Sequence, residues 1–184
     1  MNFFIIHGVY GNPEENWFPW LKKELESQGY EVIVPKFPTP LDQSLESWLR
    51  VFLHYEEKIN EETVLIGHSL GAPFILNYLE KTNKKIKAAI LVAAFHKPLG
   101  IQYDEINKTF VDKQFNWEKI KANCNKFFIF NSDNDPWIPL ETAQELAKNL
   151  NAEMNVVHDG GHLNKKAGYE DFPILLETII IEVE

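Results

Sequence analysis

The pentapeptide Gly67-His68-Ser69-Leu70-Gly71 constrains this chain more than any other stretch. Before it, Thr63-Val64-Leu65-Ile66 is a short apolar, partly β-branched run with the character of a buried strand; after it, Phe74 to Leu79 reads as a helix. A strand that turns into a helix at a serine, with glycines two residues to either side, has the G-x-S-x-G spacing of a nucleophile elbow. The glycines answer a steric demand. The turn holds the serine in a strained conformation, and a Cβ at either flanking position would crowd the neighbouring strand and helix. The bare pattern arises by chance in roughly one chain of this size in twenty, so its weight rests on the flanking elements and on partners further along.

Strands and helices alternate around this point. Asn2 to His7 is an apolar run that ends in the turn-rich Gly8-Val9-Tyr10-Gly11-Asn12-Pro13. Trp17 to Gln28 places Trp17, Trp20, Leu21 and Leu25 on one helical face and stops at Gly29. Glu31 to Val34 is a second strand closed by a proline-rich loop, and Leu45 to Ile59 a second helix. Beyond the elbow, strands are expected at Ile86–Ala93, Lys126–Phe130 and Glu153–Val157, and helices at Leu140–Leu150 and Phe172–Ile181. Lys97 to Asn125 is the least regular region, with a helix expected only at Trp117–Lys121. Near-continuous apolar strands alternating with helices specify an α/β fold, a mostly parallel central sheet with helices on both faces. With 184 residues, no repeat and no linker, one domain over 1–184 is expected.

Composition removes several classes of function. A formal net charge of −9 and no basic stripe argue against a nucleic-acid partner. Cys124 is the one cysteine, so an internal disulfide is excluded, as suits a reducing compartment, and no motif around it suggests a reactive thiol. Phe3-Phe4-Ile5-Ile6 follows the first residues without a basic leader, and the apolar C-terminal stretch is short and interrupted by Glu177 and Glu182, so neither a signal segment nor a membrane anchor is expected. A cytoplasmic location follows as the default. There is no H-x-x-x-H, C-x-x-C or G-x-G-x-x-G pattern, and Asp133 with Asp135 is a weak cation signal, so no metal and no cofactor are expected.

In a parallel sheet, ligands bind at the loops that follow the carboxyl ends of strands. The polar clusters of this chain all fall in such loops: Gly8–Asn12, Gly67–Gly71, Phe95-His96, Asp133–Asp135 and His158–His162. A serine hydroxyl needs an adjacent base, and the base an orienting acid, and folds with this elbow carry them in the order serine, acid, histidine. His162, in Gly160-Gly161-His162, is favoured as base because a glycine loop can carry an imidazole over the serine; His158 directly follows its strand. Asp133 and Asp135 both stand open as acids, and either can instead cap the helix near Leu140. Charge developing on a carbonyl oxygen requires fixed donors. The amide of Leu70 supplies one by position, and the loop after the first strand the other, with Val9 before Tyr10. His7 is expected to support that loop, His68 to pack near the turn, His54 to lie on a helix surface, and His96 to line the pocket with Tyr10, Phe95 and Trp137.

With these segments placed, the chain resembles an α/β hydrolase, and more narrowly the small serine hydrolases of the retinoblastoma-binding protein 9 and YdeN family. The resemblance spans essentially the whole length, through His7-Gly8, Asn16-Trp17-Phe18-Pro19-Trp20-Leu21, Pro35 to Leu41, the elbow, Ser132-Asp133-Asn134-Asp135-Pro136 and Gly160-Gly161-His162. Asp135-Pro136-Trp137-Ile138-Pro139 resembles the D-x-x-V-P loop that carries the acid in many α/β hydrolases. The resemblance therefore implies an α/β-hydrolase fold with a minimal lid, a triad of Ser69, Asp135 and His162, and no cofactor. No L-x-C-x-E motif is present, so retinoblastoma binding is not carried over. The lid would come from Lys97–Asn125, with Phe110, Phe115 and Trp117 joining Phe95 as an apolar wall.

The function so implied is hydrolysis of a small carboxylic ester through an acyl-enzyme. A small amide, peptide or thioester would use the same residues. A non-catalytic binding protein on this fold is the reading from another class, and an intact triad argues against it.

Overall fold

The computed structural model describes residues 1–183 of the 184-residue chain. Six strands form one sheet: β1 (Asn2–Ile6), β2 (Glu31–Ile33), β3 (Thr63–His68), β4 (Ile86–Val92), β5 (Cys124–Ser132) and β6 (Glu153–Val157), in the order β2-β1-β3-β4-β5-β6. Every neighbouring pair is parallel, so the sheet is more uniform than the sequence required. The helices are α1 (Phe18–Ser27), α2 (Leu45–Leu53), α3 (Gly71–Lys81), α4 (Asp104–Val111), α5 (Trp117–Ala122), α6 (Leu140–Leu150) and α7 (Pro173–Thr178). Among the described residues no helix is long and apolar enough to cross a membrane.

Strand alternation divides the core in two. Phe4, Ile6, Leu65, Leu91 and Ile129 face a layer built on Trp48 and Phe52 of α2, Phe74 and Leu79 of α3, Ile120 of α5 and Leu146 of α6. Phe3, Ile5, Val64, Ile66 and Ile90 face Trp17, Phe18 and Leu21 at α1 and Leu175 of α7. β1 and β3 are buried at every position, which is why their sequences run apolar without a polar alternate. The chain leaves β1 toward β2 and returns on the other side as β3. The switch point of the sheet thus lies between β1 and β3, where a crevice opens beyond the strand ends.

Three elements differ from the expectation. The helix expected over Leu45–Ile59 stops at Leu53 and resumes as a single 3₁₀ turn, Glu56–Lys58. That break turns the Lys58 carbonyl toward Asn2, whose Nδ2 donates to it at 2.9 Å and ties the turn to the start of β1. The last helix is likewise shorter, passing at Ile179 into a π turn over Ile179–Val183. In the region expected to be irregular, α4 forms. Asp104 gathers the amides of Leu99, Gly100 and Ile101 on its carboxylate, and Asn77 Nδ2 of α3 donates to the Phe110 carbonyl at 2.8 Å.

The tightest packing lies at the crevice. A Cβ on Gly71 would overlap the Ile6 carbonyl oxygen, and one on Gly67 would stand 2.6 Å from the Gly71 carbonyl. β1, β3 and α3 can approach this closely only with glycine at both positions. Gly71→Ala should therefore destabilise the fold by about 3 kcal/mol, the upper part of the range for overpacked cores, measured as a lower urea midpoint with an unchanged m-value.

Candidate active site

Ser69 follows β3 directly and takes a φ of 54°, in the left-handed region that a non-glycine residue rarely enters. Neighbouring backbone bonds hold it there: its amide donates to the Val92 carbonyl at 2.9 Å, and its carbonyl accepts from the Ala72 amide at 2.9 Å. The residue stands at the N-terminal end of α3 and lines a cavity of about 250 Å³.

Two Asp–His pairs bridge the loops after β5 and β6, and burial separates them. Asp133 Oδ2 lies 2.6 Å from His158 Nδ1, with the histidine side chain 84% exposed. Asp135 Oδ2 lies 2.7 Å from His162 Nδ1, with side-chain exposures of 0% and 9%. The outer pair fastens one loop to the other: Asp133 also accepts the Asp159 amide, and Asn134 Oδ1 accepts the Gly161 amide at 2.7 Å. His158 holds the Asp133 carboxyl below the usual carboxylate range by its hydrogen bond, and is itself raised by it. Asp133, His158 and Asp159 bring ligand atoms within 4.8 Å of one another, all exposed. The inner acid is saturated differently. Asp135 Oδ1 accepts the amides of Trp137 at 2.9 Å and Ile138 at 3.2 Å, leaving Oδ2 for the imidazole. Nδ1 of His162 faces that carboxylate oxygen, so the tautomer of a neutral imidazole that fits this contact has its proton on Nδ1 and its lone pair on Nε2.

The backbone of the histidine loop is anchored from beneath. His68 Nε2 donates to the His162 carbonyl at 3.0 Å, and Trp17 Nε1 donates to the Leu163 carbonyl at 3.0 Å. The His162 ring itself sits edge-on between Trp137, at 4.6 Å, and His68, at 5.0 Å. Burial pushes the His68 imidazole down to about 3, so it remains a neutral donor.

His7 organises the loop after β1. Its Nε2 accepts the Phe37 amide at 3.0 Å, which fixes the proton on Nδ1, and Nδ1 donates to the Gly8 carbonyl at 2.8 Å. Burial lowers its pKa, so the neutral form persists. Gly8 then passes so close to Ser69 that a Cβ on it would stand 2.9 Å from the serine Cβ. Of the two amides considered as second donor, Tyr10 N–H is committed to Thr39 Oγ1 at 2.8 Å. The amides of Val9 and Leu70 have no acceptor among the described residues.

The structure gathers Ser69, His162, Val9, Tyr10, Phe95 and Trp137 around the one cavity. His96, expected at its wall, does not line it. That imidazole is buried on the other side of the loop, with Nε2 3.4 Å from Glu145 Oε1 and its ring against Trp117. Phe110 and Phe115 join the core rather than the wall, Phe110 packing on Trp48 at 5.1 Å. Their places are taken by Leu99, Ile101 and Tyr103, in the turn that Asp104 ties down ahead of α4. The sequence signal was present in Leu99-Gly100-Ile101, apolar residues around a glycine with an aspartate following. Cys124 is remote from the site, and burial raises its thiol to about 12.

The buried imidazoles predict an acid-sensitive fold. His7 and His68 are lowered in the folded state from the ordinary 6.5, so below that value the unfolded chain binds more protons. Stability is full above pH 6.5 and falls on acidification, with the His68 share still being lost down to about pH 3. Between about pH 7.5 and about pH 5, His68 accounts for roughly 2 kcal/mol. Urea denaturation of His68→Phe should show a pH dependence smaller by about that amount.

Comparison with known proteins bears on this site. The profile of the family described as serine hydrolase matches residues 3–180. YdeN of Bacillus subtilis (strain 168) is 32% identical over 178 residues, covering 96% of this chain and 93% of the relative. The serine hydrolase RBBP9 of Rattus norvegicus is 34% identical over 155 residues, covering 84% and 81%. The crystal structure of the ydeN gene product from B. subtilis superposes with a TM-score of 0.92 at 31% identity, over 97% of this chain and 96% of that one. The α/β hydrolase domain-containing protein 10 from mouse shares the fold at a TM-score of 0.71 and 16% identity, over 97% and 88%. An all-parallel sheet with a strained serine at its switch point, matched by profile, sequence and structure, makes this chain a member of the serine hydrolase family with the α/β-hydrolase fold.

Proposed function

We propose that this hydrolase cleaves a small carboxylic ester through an acyl-enzyme, with Ser69, His162 and Asp135 as its triad. The observation that carries the reading is the buried Asp135–His162 pair at 2.7 Å, set in the same small cavity as a serine held at positive φ. Ser69 Oγ attacks the ester carbonyl as its proton passes to Nε2 of His162. The imidazolium is stabilised through Nδ1 by Asp135, and the carbonyl oxygen, now anionic, receives the Leu70 and Val9 amides. On collapse, Nε2–H protonates the departing alkoxide and leaves the acyl group on Ser69. A water molecule, deprotonated by the same nitrogen, then releases the acid and restores the serine.

The cavity of about 250 Å³ lies at or below the small end of ligand pockets, which favours short acyl and alcohol portions over lipid chains. Phe95, Leu99, Ile101 and Trp137 provide its apolar walls and suit uncharged groups. The reading requires neither a metal nor a cofactor.

A fluorophosphonate probe should label the wild type and fail to label Ser69→Ala or His162→Ala. On a short-chain p-nitrophenyl ester, Asp135→Asn should lower kcat by about 10⁴-fold with little change in KM, because the amide presents the wrong partner to Nδ1. Folded wild type that neither takes the probe nor turns over any ester would overturn the proposal and favour a binding role.

A further inference from the structure

Asn107, on α4, is 4% exposed and lines the cavity that holds Ser69. The orientation of its amide follows from a chain of hydrogen bonds that ends on a backbone carbonyl. At one end the Tyr10 amide, a donor only, gives its proton to Thr39 Oγ1 at 2.8 Å. Thr39 Oγ1 in turn donates to the Gln43 oxygen at 2.5 Å. The Gln43 NH₂ group is thereby turned toward α4. There it donates to the Ile106 carbonyl at 3.2 Å, an acceptor only, which fixes the same orientation from the other end. It also donates to Asn107 at 3.0 Å, so the Asn107 oxygen faces Gln43 and its NH₂ group faces away. Nδ2 of Asn107 donates to no protein acceptor among the described residues.

An amide donor with no protein partner, on a residue that lines a cavity, is open to an acceptor that enters that cavity. Phe95, Leu99 and Ile101 line the same cavity together with the acidic Glu15, and no lysine or arginine lines it. We propose that Asn107 is the specificity-determining donor of this site, and that it selects substrates carrying an ether, hydroxyl or carbonyl oxygen beyond the scissile carbonyl. The assignment rests on the reading of the cavity as the substrate site. Through Gln43 and Thr39, the same bond network joins this donor to the loop that carries the Val9 amide, so the recognition group and the proposed oxyanion loop are held in one frame.

The test uses matched pairs in which one CH₂ is replaced by oxygen: methyl methoxyacetate against methyl butyrate for the acyl side, and 2-methoxyethyl acetate against butyl acetate for the alcohol side. Binding to Ser69→Ala protein, followed by NMR titration, is independent of turnover. In that background Asn107→Leu should shift the affinity ratio of at least one pair toward the hydrocarbon member by about fivefold to tenfold, the worth of one hydrogen bond. Gln43→Glu provides a second route that keeps Asn107 in place. A carboxylate there can only accept, so Asn107 should turn over, present its oxygen to the cavity and shift the ratio the same way. Ratios unchanged in both variants, or no binding of any of the four esters, would overturn the inference. Turnover by the Ser69 enzyme is scored separately: binding that depends on Asn107 without hydrolysis removes the ester reaction alone, and hydrolysis with an unchanged ratio removes this inference alone.

Discussion

Backbone rests directly on backbone where β1, β3 and α3 meet, and the site depends on that contact. Gly71 lies against the Ile6 carbonyl, Gly67 against Gly71, and Gly8 against Ser69. Each approach is closer than a side chain would permit, and together they bring the first loop, the serine and the start of α3 into one small volume. A serine at positive φ is unfavourable in isolation, by of order 1–3 kcal/mol. It persists because the two large apolar layers on either face of the sheet hold the strands in register around it.

The remaining parts of the site hang on this frame by hydrogen bonds whose donors and acceptors leave little choice of arrangement. His7, neutral and buried, accepts from Phe37 and donates to Gly8, which joins the proline-rich loop to the loop beside Ser69. His68 and Trp17 donate to consecutive carbonyls beneath His162. Three histidines near the site thus stand in three different environments. Environment separates them: burial removes the charge from two, and only His162 combines a carboxylate partner with access to the cavity.

The duplicated Asp–His pairs show why composition alone cannot assign such a site. Asp133–His158 and Asp135–His162 have nearly equal separations and bridge the same two loops. In the exposed pair, solvent screens the attraction, and its evident work is to pin loop to loop. In the buried pair, the carboxylate is satisfied by two amides and the imidazole, so its second oxygen is held in one direction. Asp133 and Asn134 accept the Asp159 and Gly161 amides, which ties the loop ahead of His162 to the loop after β5.

The elements that are longest and most regular were legible in the sequence because their cause is local. Apolar runs without polar alternates became strands buried on both faces, and the glycines around Ser69 marked a turn that admits no side chain. The rule that loops after parallel strands converge grouped these loops from the sequence; in the structure Ser69 and His162 line one cavity and Asp135 bonds His162. Only the tertiary structure distinguished residues that neighbour one another in sequence. Phe95 lines the cavity while His96 turns to Glu145, and Tyr10 spends its amide on Thr39 while that of Val9 stays free. It also fixed α4 and the turn ahead of it, through bonds from Asn77 and Asp104, and so brought Leu99, Ile101, Tyr103 and Asn107 to the cavity. Periodicity and turn chemistry act over a few residues and are written in the chain. The direction of a loop side chain and the partner of an amide depend on groups distant in sequence, and only folding brings those together.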